Sequence, residues 1–229
     1  RQNIVQQLTN DFWSKQRQNL FLASNKGIIL LVEGKHDKKH INNAFHKLKE
    51  DFPDLDFDIF SLKGEKNIAP MLRGLRDANL NDNKIYIGIY DNDSAGRDSL
   101  NKEGFEKNEN KLYRKLKQSG TDNQYNSYFA LVLPKPNEFK ADCTIENMYD
   151  KNKFEEAILK AAKKAQGSYY DKSVKEMTEN IKDEAKNLLA EDSKNFTKNE
   201  FNYFIPLFNV INQIKKDSLD NIYNNNQTD

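Results

Sequence analysis

The chain has 229 residues, of which 37% are hydrophobic and 31% are charged, so it can bury a core beneath a very polar surface. Its 36 Lys and Arg residues nearly balance its 35 Asp and Glu residues, so net charge neither requires nor excludes a nucleic-acid partner. The single cysteine, Cys143, excludes an internal disulfide, and no apolar run or signal-peptide pattern indicates a membrane, so we expect a cytoplasmic protein.

The first part of the chain alternates predicted helices and strands. Residues 4–22 have apolar residues at helical spacing and are predicted to form a helix. "KGIILLVEG" (Lys26–Gly34) is a continuous apolar run, which is typical of a strand buried on both faces. A predicted helix over Asp37–Leu48 follows, then an alternating strand over Leu55–Leu62 and a helix over Lys66–Leu80.

The next part of the chain adds two more predicted strands. "KIYIGIY" (Lys84–Tyr90) is the third strand, and a helix begins at Ser94. Residues from Lys107 to Gln118 are predicted to continue or follow that helix, and Ser127–Pro136 contains the fourth strand. The rest is predicted to be helical, over about 153–165, 174–189 and 198–215.

This order predicts an α/β fold, with a parallel sheet of about four strands flanked by helices and a helical C-terminal extension. We expect one domain over residues 1–150 and a helical region over 151–229 that completes it. Ligands of such sheets bind beyond the carboxyl ends of the strands. Glu33 ends the first strand, and Asp91 and Asp93 follow the third, so the three carboxylates meet if these strands are neighbours.

Carboxylates that face one another repel, and a hard divalent cation removes that repulsion. Mg²⁺ binds one or two carboxylates together with waters and substrate phosphates, so the pattern predicts a phosphoryl-transfer site. Gly34 and Gly96 are expected to permit sharp turns beside these acids. Two simpler alternatives stay open: Glu33 is a charged strand end, and the Asp91-x-Asp93 pair is an ordinary turn or helix cap.

Two segments resemble the signatures of a known family. "LLVEGKHD" (Leu30–Asp37) and "IYDNDSAGRDS" (Ile89–Ser99) are similar to the Glu-Gly and Asp-x-Asp motifs of the TOPRIM domain, found in topoisomerases, bacterial primases and OLD-family nucleases. The resemblance covers roughly Gly27–Asp150. It implies a Rossmann-like sheet, Mg²⁺ binding, and cutting or joining of phosphodiester bonds.

A third segment points to the OLD-like nuclease branch. "CTIENMYD" (Cys143–Asp150) resembles the later acidic motif of those enzymes, which implies that Glu146 is a metal ligand. The same resemblance implies that Asp37 is a ligand near a second metal. Alternatively, Asp37 is the first-turn acid of its helix, and Glu146 is a solvated residue before a helix.

OLD-like enzymes also use a lysine in their C-terminal helical part. "TKNEFNYFI" (Thr197–Ile205) resembles the segment that carries it, which implies that Lys198 is catalytic, with Lys194 as a rival. A lysine there would stabilise negative charge on the phosphate in the transition state. His36 and His40 are four residues apart, but no following glutamate or assisting cysteine supports a zinc site.

Together these features imply a Mg²⁺-dependent nuclease, with Mn²⁺ as a substitute, that cuts DNA or RNA. The resemblance implies a toxic effector of bacterial anti-phage defence, as in the PARIS system, which works with an ATPase. Because the sequence has no Walker A motif, we expect that ATPase to be a separate chain or a missing part of this one. The alternatives are a housekeeping RNA maturase and an inactive TOPRIM binding module. Substrate (including tRNA), partner identity and homodimer formation stay open.

Overall fold

The computed structural model describes residues 23–78, 83–102, 104–106, 112–117, 127–137, 139, 142–165 and 173–225. The helix predicted over residues 4–22 lies outside these residues. No helix in the described ranges is long and apolar enough to cross a membrane.

The sheet has five strands, in the order β2-β1-β3-β5-β4. Their bounds are β1 Ile28–Val32, β2 Asp58–Ser61, β3 Ile85–Tyr90, β4 Tyr113–Lys115 and β5 Ser127–Val132. All neighbouring strands are parallel except β4 and β5, which are antiparallel. The predicted α/β class and the four predicted strands are therefore confirmed, and the arrangement is compatible with a Rossmann-like fold.

The prediction of a helix over Lys107–Gln118 is wrong for Tyr113–Lys115, which form the strand β4. This three-residue strand pairs Tyr113 with Leu131 and closes one edge of the sheet. It was missed because a three-residue strand is too short to show an alternating pattern, and because its last two residues are charged.

Six α-helices lie within the described residues. They are α1 Lys35–Leu48, α2 Ile68–Asp77, α3 Ser94–Lys102, α4 Lys151–Lys164, α5 Val174–Asp192 and α6 Ile205–Asn225. Two 3₁₀ turns matter for the site, over Ile145–Met148 and Lys198–Phe204. The helical character predicted for the C-terminal part is confirmed, although the segment from Lys198 begins as the 3₁₀ turn and becomes α-helical at Ile205.

Helices cover both faces of the sheet, which explains why its central strands β1 and β3 are almost uninterrupted apolar runs. Ile28, Leu30 and Val32 of β1 point into a core shared with α1 and the C-terminal helices. Ile29 and Leu31 point into a second core, on the opposite face, shared with α2 and α3. This alternation is the one expected of a strand buried on both sides.

The strand order brings the two acidic segments together. β1 and β3 are parallel neighbours, with Val32 opposite Ile89, so their carboxyl ends lie side by side. From β1 the chain crosses to β2 on one side and then to β3 on the other. Such a switch point leaves a crevice beyond the strand ends, where α/β sheets bind their ligands.

Candidate metal centre

A small pocket opens beyond the adjacent ends of β1 and β3. Three predicted site residues line it, namely Glu33, Asp37 and Asp91. The rest of its lining is Val32, Ile41, Ile89, Tyr90, Leu133 and Ile145. The pocket therefore places acidic side chains against mainly apolar walls, which disfavours the charged form of each carboxylate.

Asp91 is the most strongly perturbed acid of this pocket. Its Oδ1 accepts a hydrogen bond from the backbone N–H of Ile145 at 3.1 Å. Burial, followed by the charges of Asp37, Glu146 and Glu33, raises the pKa of Asp91 to about 8. At neutral pH Asp91 is therefore largely protonated unless a cation offsets the surrounding negative charge.

Asp37 occupies the first turn of α1. Its Oδ2 accepts from the Gly34 N–H at 2.7 Å, so its position as a first-turn acid is confirmed, and its role as a metal ligand stays a prediction. Burial nevertheless raises the pKa of Asp37 to about 6, helped by the charges of Glu146 and Glu33. Gly34 has φ −126°, an extended conformation that any residue adopts, so the turn after Glu33 does not depend on glycine.

Glu33 lies at the rim of the pocket, where much of its side chain is exposed. The pKa of Glu33 is raised, first by partial burial of its carboxylate and then by the charge of Glu65. Asp93 adds to the same effect. The Asp93 Oδ1 accepts from the Gly96 N–H at 2.8 Å, so Asp93 caps the start of α3, as one of the simpler alternatives proposed.

Glu65 belongs to this acidic group, although the sequence analysis did not select it. It follows β2, and it accepts a hydrogen bond from the Ser99 hydroxyl at 2.5 Å. The rule that selected Glu33, an acid just beyond the carboxyl end of a parallel strand, would also have found Glu65.

Glu146 is buried, with only 2% of its surface exposed, so the alternative that it is a solvated residue is wrong. Its Oε1 lies 3.3 Å from the Lys186 Nζ, and its Oε2 accepts from the Thr144 hydroxyl at 2.6 Å. Burial alone would raise the pKa of Glu146, but Lys186 and Thr144 outweigh it, and the pKa is lowered. Glu146 therefore keeps its negative charge.

Lys186 of α5 is the lysine that the structure brings to this cluster. Burial alone would lower the pKa of Lys186, but Glu146 and then Asp91 and Asp37 outweigh it, and the pKa is raised. Lys186 therefore stays protonated beside the carboxylates. No sequence signal selects it among 36 basic residues, because its position depends on how α5 packs across α1.

The two lysines proposed from sequence are placed elsewhere. The Lys198 Nζ pairs with Asp51 at 2.7 Å, and the Lys194 Nζ lies 3.9 Å from Glu191. Both pairs are on exposed surface. The structure thus gathers five predicted acids around the carboxyl ends of β1 and β3, namely Glu33, Asp37, Asp91, Asp93 and Glu146. It brings neither Lys198 nor Lys194 to them.

The chemistry of the cluster fits a hard cation, since its donors are carboxylate oxygens that raise one another's pKa. Within the described ranges, however, no group of three or more His, Cys, Asp or Glu side chains could hold a metal ion as it stands. A Mg²⁺ site does not need a complete protein cage, because one or two carboxylates with waters and substrate phosphates suffice.

Comparison with models of protein families, with curated proteins and with solved structures found no match for this chain.

Proposed function

We propose that this protein is a Mg²⁺-dependent nuclease of the TOPRIM type, which hydrolyses phosphodiester bonds at the carboxyl ends of β1 and β3. One observation carries the proposal. Several carboxylates converge beyond adjacent strand ends, so that the pKa of Asp91 is raised to about 8, and a protonated lysine stands among them. Such an arrangement is costly without a ligand and is what a phosphoryl-transfer site requires.

Glu33, Asp37 and Asp91 line the pocket and would hold Mg²⁺. The negative charges of Asp93 and Glu146 act on the same group of acids. When bound, the cation supplies Lewis-acid polarisation of a phosphate and favours ionisation of water. With a cation held there, Asp91 would be ionised, because the positive charge would offset both its burial and the negative charges of its neighbours. Mn²⁺, which also prefers oxygen ligands, is the natural substitute.

Lys186 takes the part that the resemblance assigned to Lys198. Its ammonium group is held beside the cluster by Glu146, at 3.3 Å, and about a third of the side chain is exposed to an incoming substrate. A positive charge in this position stabilises the extra negative charge that the phosphate acquires in the transition state.

The biological setting is proposed on the family resemblance alone. A TOPRIM effector of this kind acts in bacterial anti-phage defence, is toxic when released, and works with a separate ATPase that senses infection. The substrate is DNA or RNA, with tRNA included.

The proposal is tested by cleavage of supercoiled plasmid, single-stranded DNA and total tRNA with Mg²⁺ or Mn²⁺, and with EDTA as a control. We expect metal-dependent cutting of one of these substrates. Asp91→Asn and Lys186→Met should each lower the rate by about 100-fold or more, as for loss of one transition-state contact.

Matched controls come from exposed ion pairs away from the site. Lys198→Met breaks the pair with Asp51, and Asp192→Asn breaks the pair with Lys160. Both should leave the rate within about threefold of the wild type, because exposed pairs contribute little. A large loss in Lys198→Met with normal activity in Lys186→Met would contradict our assignment of the lysine, and cutting that persists in EDTA would contradict the metal dependence.

A further inference from the structure

A network of buried polar side chains lies beside the acidic cluster at the ends of β1 and β3. The His40 Nδ1 and the Tyr149 hydroxyl are 2.8 Å apart, which is a hydrogen-bond distance. The Asn43 Nδ2 donates to the Ser193 Oγ at 2.8 Å and to the Ala190 carbonyl at 3.2 Å. His40, Tyr149 and Ser193 have no exposed surface, so each of these bonds is made away from bulk water.

The network joins three of the elements that carry functional groups of the site. His40 and Asn43 lie on α1, which begins with Asp37 in its first turn. Tyr149 directly follows the 3₁₀ turn that carries Glu146. Ser193 directly follows α5, the helix of Lys186. The His40–Tyr149 bond therefore ties the turn of Glu146 to α1, and Asn43 ties the end of α5 to the same helix.

We propose that His40 and Tyr149 are positioning residues that hold the turn of Glu146 against α1, so that Glu146 stays in contact with the Lys186 ammonium. The role of this contact in catalysis rests on the proposed nuclease function, but the contact itself does not. Neither side chain touches the reacting atoms in this account, since both act through the placement of Glu146 beside Lys186.

The contacts indicate which atoms matter. The Tyr149 ring packs edge-on against the rings of Phe196, Phe201 and Phe204, so Tyr149→Phe keeps that packing and removes only the hydroxyl. On His40, Nδ1 makes the bond to Tyr149, whereas the buried Nε2 has no hydrogen-bond partner among the described residues. The positioning role thus belongs to Nδ1.

A pair of conservative variants separates the two nitrogens. The amide of His40→Asn reaches about as far as Nδ1 and can restore the bond to Tyr149, whereas the amide of His40→Gln reaches about as far as Nε2. Rescue by Asn and failure of Gln is the pattern expected of positioning through Nδ1. A merely space-filling role for His40 would not distinguish the two variants.

The experiment is competitive acetylation of the full chain with limiting acetic anhydride, read by mass spectrometry. Lys186 and Lys198 serve as an internal pair, because their side chains are 36% and 46% exposed and each is paired with one carboxylate. Tyr149→Phe and His40→Gln should raise the labelling of Lys186 relative to Lys198 by about threefold or more, as for loss of a buried hydrogen bond. His40→Asn should label like the wild type.

Unchanged Lys186 labelling in both Tyr149→Phe and His40→Gln would overturn the proposal. Wild-type labelling in His40→Gln with raised labelling in His40→Asn would overturn it too, and would assign the role to Nε2. If Tyr149→Phe does not fold, the Asn and Gln variants decide alone. Because labelling needs no catalysis, a wild type that cuts nothing would remove the nuclease proposal and leave this one to be judged on its own result.

Discussion

Asp91 is the acid of the cluster whose ionisation is most strongly disfavoured. Its side chain is half-buried, and this burial, followed by the charges of Asp37, Glu146 and Glu33, raises its pKa. Such a carboxyl group is a candidate functional group, because the fold does not require a carboxylate at this position. The side chain of a neutral amide could also accept the hydrogen bond from the Ile145 N–H. The raised pKa also makes a prediction about stability.

We predict that Asp91 contributes a loss of stability to the metal-free protein as the pH rises from about 5 to 8. The pKa of Asp91 moves from an ordinary 3.8 in the unfolded chain to about 8 in the folded one. Between these values the folded state binds more protons than the unfolded state, so the free energy of unfolding falls as pH rises. Asp37, with a pKa of about 6, contributes in the same direction over the lower part of that window.

The measurement is the Tm of chelator-treated protein across this pH range, for the wild type and for Asp91→Asn. The variant should lose less stability over the range, and each 1 kcal/mol of difference corresponds to about 2–4 °C for a chain of this size. Parallel pH profiles for the two proteins would show that Asp91 does not titrate as the structure indicates.

At the scale of single residues, the sequence predicted the carboxylates of the candidate site better than its lysine. Glu33 and Asp91 follow apolar runs, so a general rule about strand ends locates them. The contact between Lys186 and Glu146 instead depends on packing between helices far apart in the chain, for which no local pattern exists. The predicted Lys198 pairs with Asp51 instead.

Among the elements, α3 packs unusually close to the end of β3. A Cβ built on Gly96 would lie 2.1 Å from the Asp91 carbonyl oxygen, which is backbone and cannot move aside. The glycine thus allows α3 to start against the acid-bearing loop, a role in packing rather than in the turn that the sequence suggested. Its absence would push Asp91 and Asp93 out of place.

Gly96→Ala is therefore expected to destabilise the fold and to abolish metal-dependent activity. Gly74→Ala is the matched control, because Gly74 is also helical and a Cβ there meets nothing within 4 Å. That substitution should stabilise by about 0.5–1 kcal/mol, as expected for Gly→Ala in a helix interior. Denaturant unfolding of both variants checks the prediction, and equal stability would contradict the close contact at Gly96.

At the scale of the whole molecule, the C-terminal helices are part of the same core as one face of the sheet. Leu189 of α5 and Phe208 of α6 belong to the core that also contains Val32 of β1 and Ile41 of α1. Sequence periodicity predicted that residues 151–229 are helical, but not which face of the sheet they cover. That packing determines which lysine lies beside the acidic cluster at the carboxyl ends of β1 and β3.

The most direct test of the central claim is Mn²⁺ binding, measured by electron paramagnetic resonance on wild-type protein, Asp91→Asn and the exposed control Asp192→Asn. The account predicts that the wild type and the control bind Mn²⁺ alike, that Mg²⁺ competes, and that Asp91→Asn binds at least about tenfold more weakly. Equal Mn²⁺ affinity in all three proteins, or no binding by the folded wild type, would contradict a metal centre at the ends of β1 and β3.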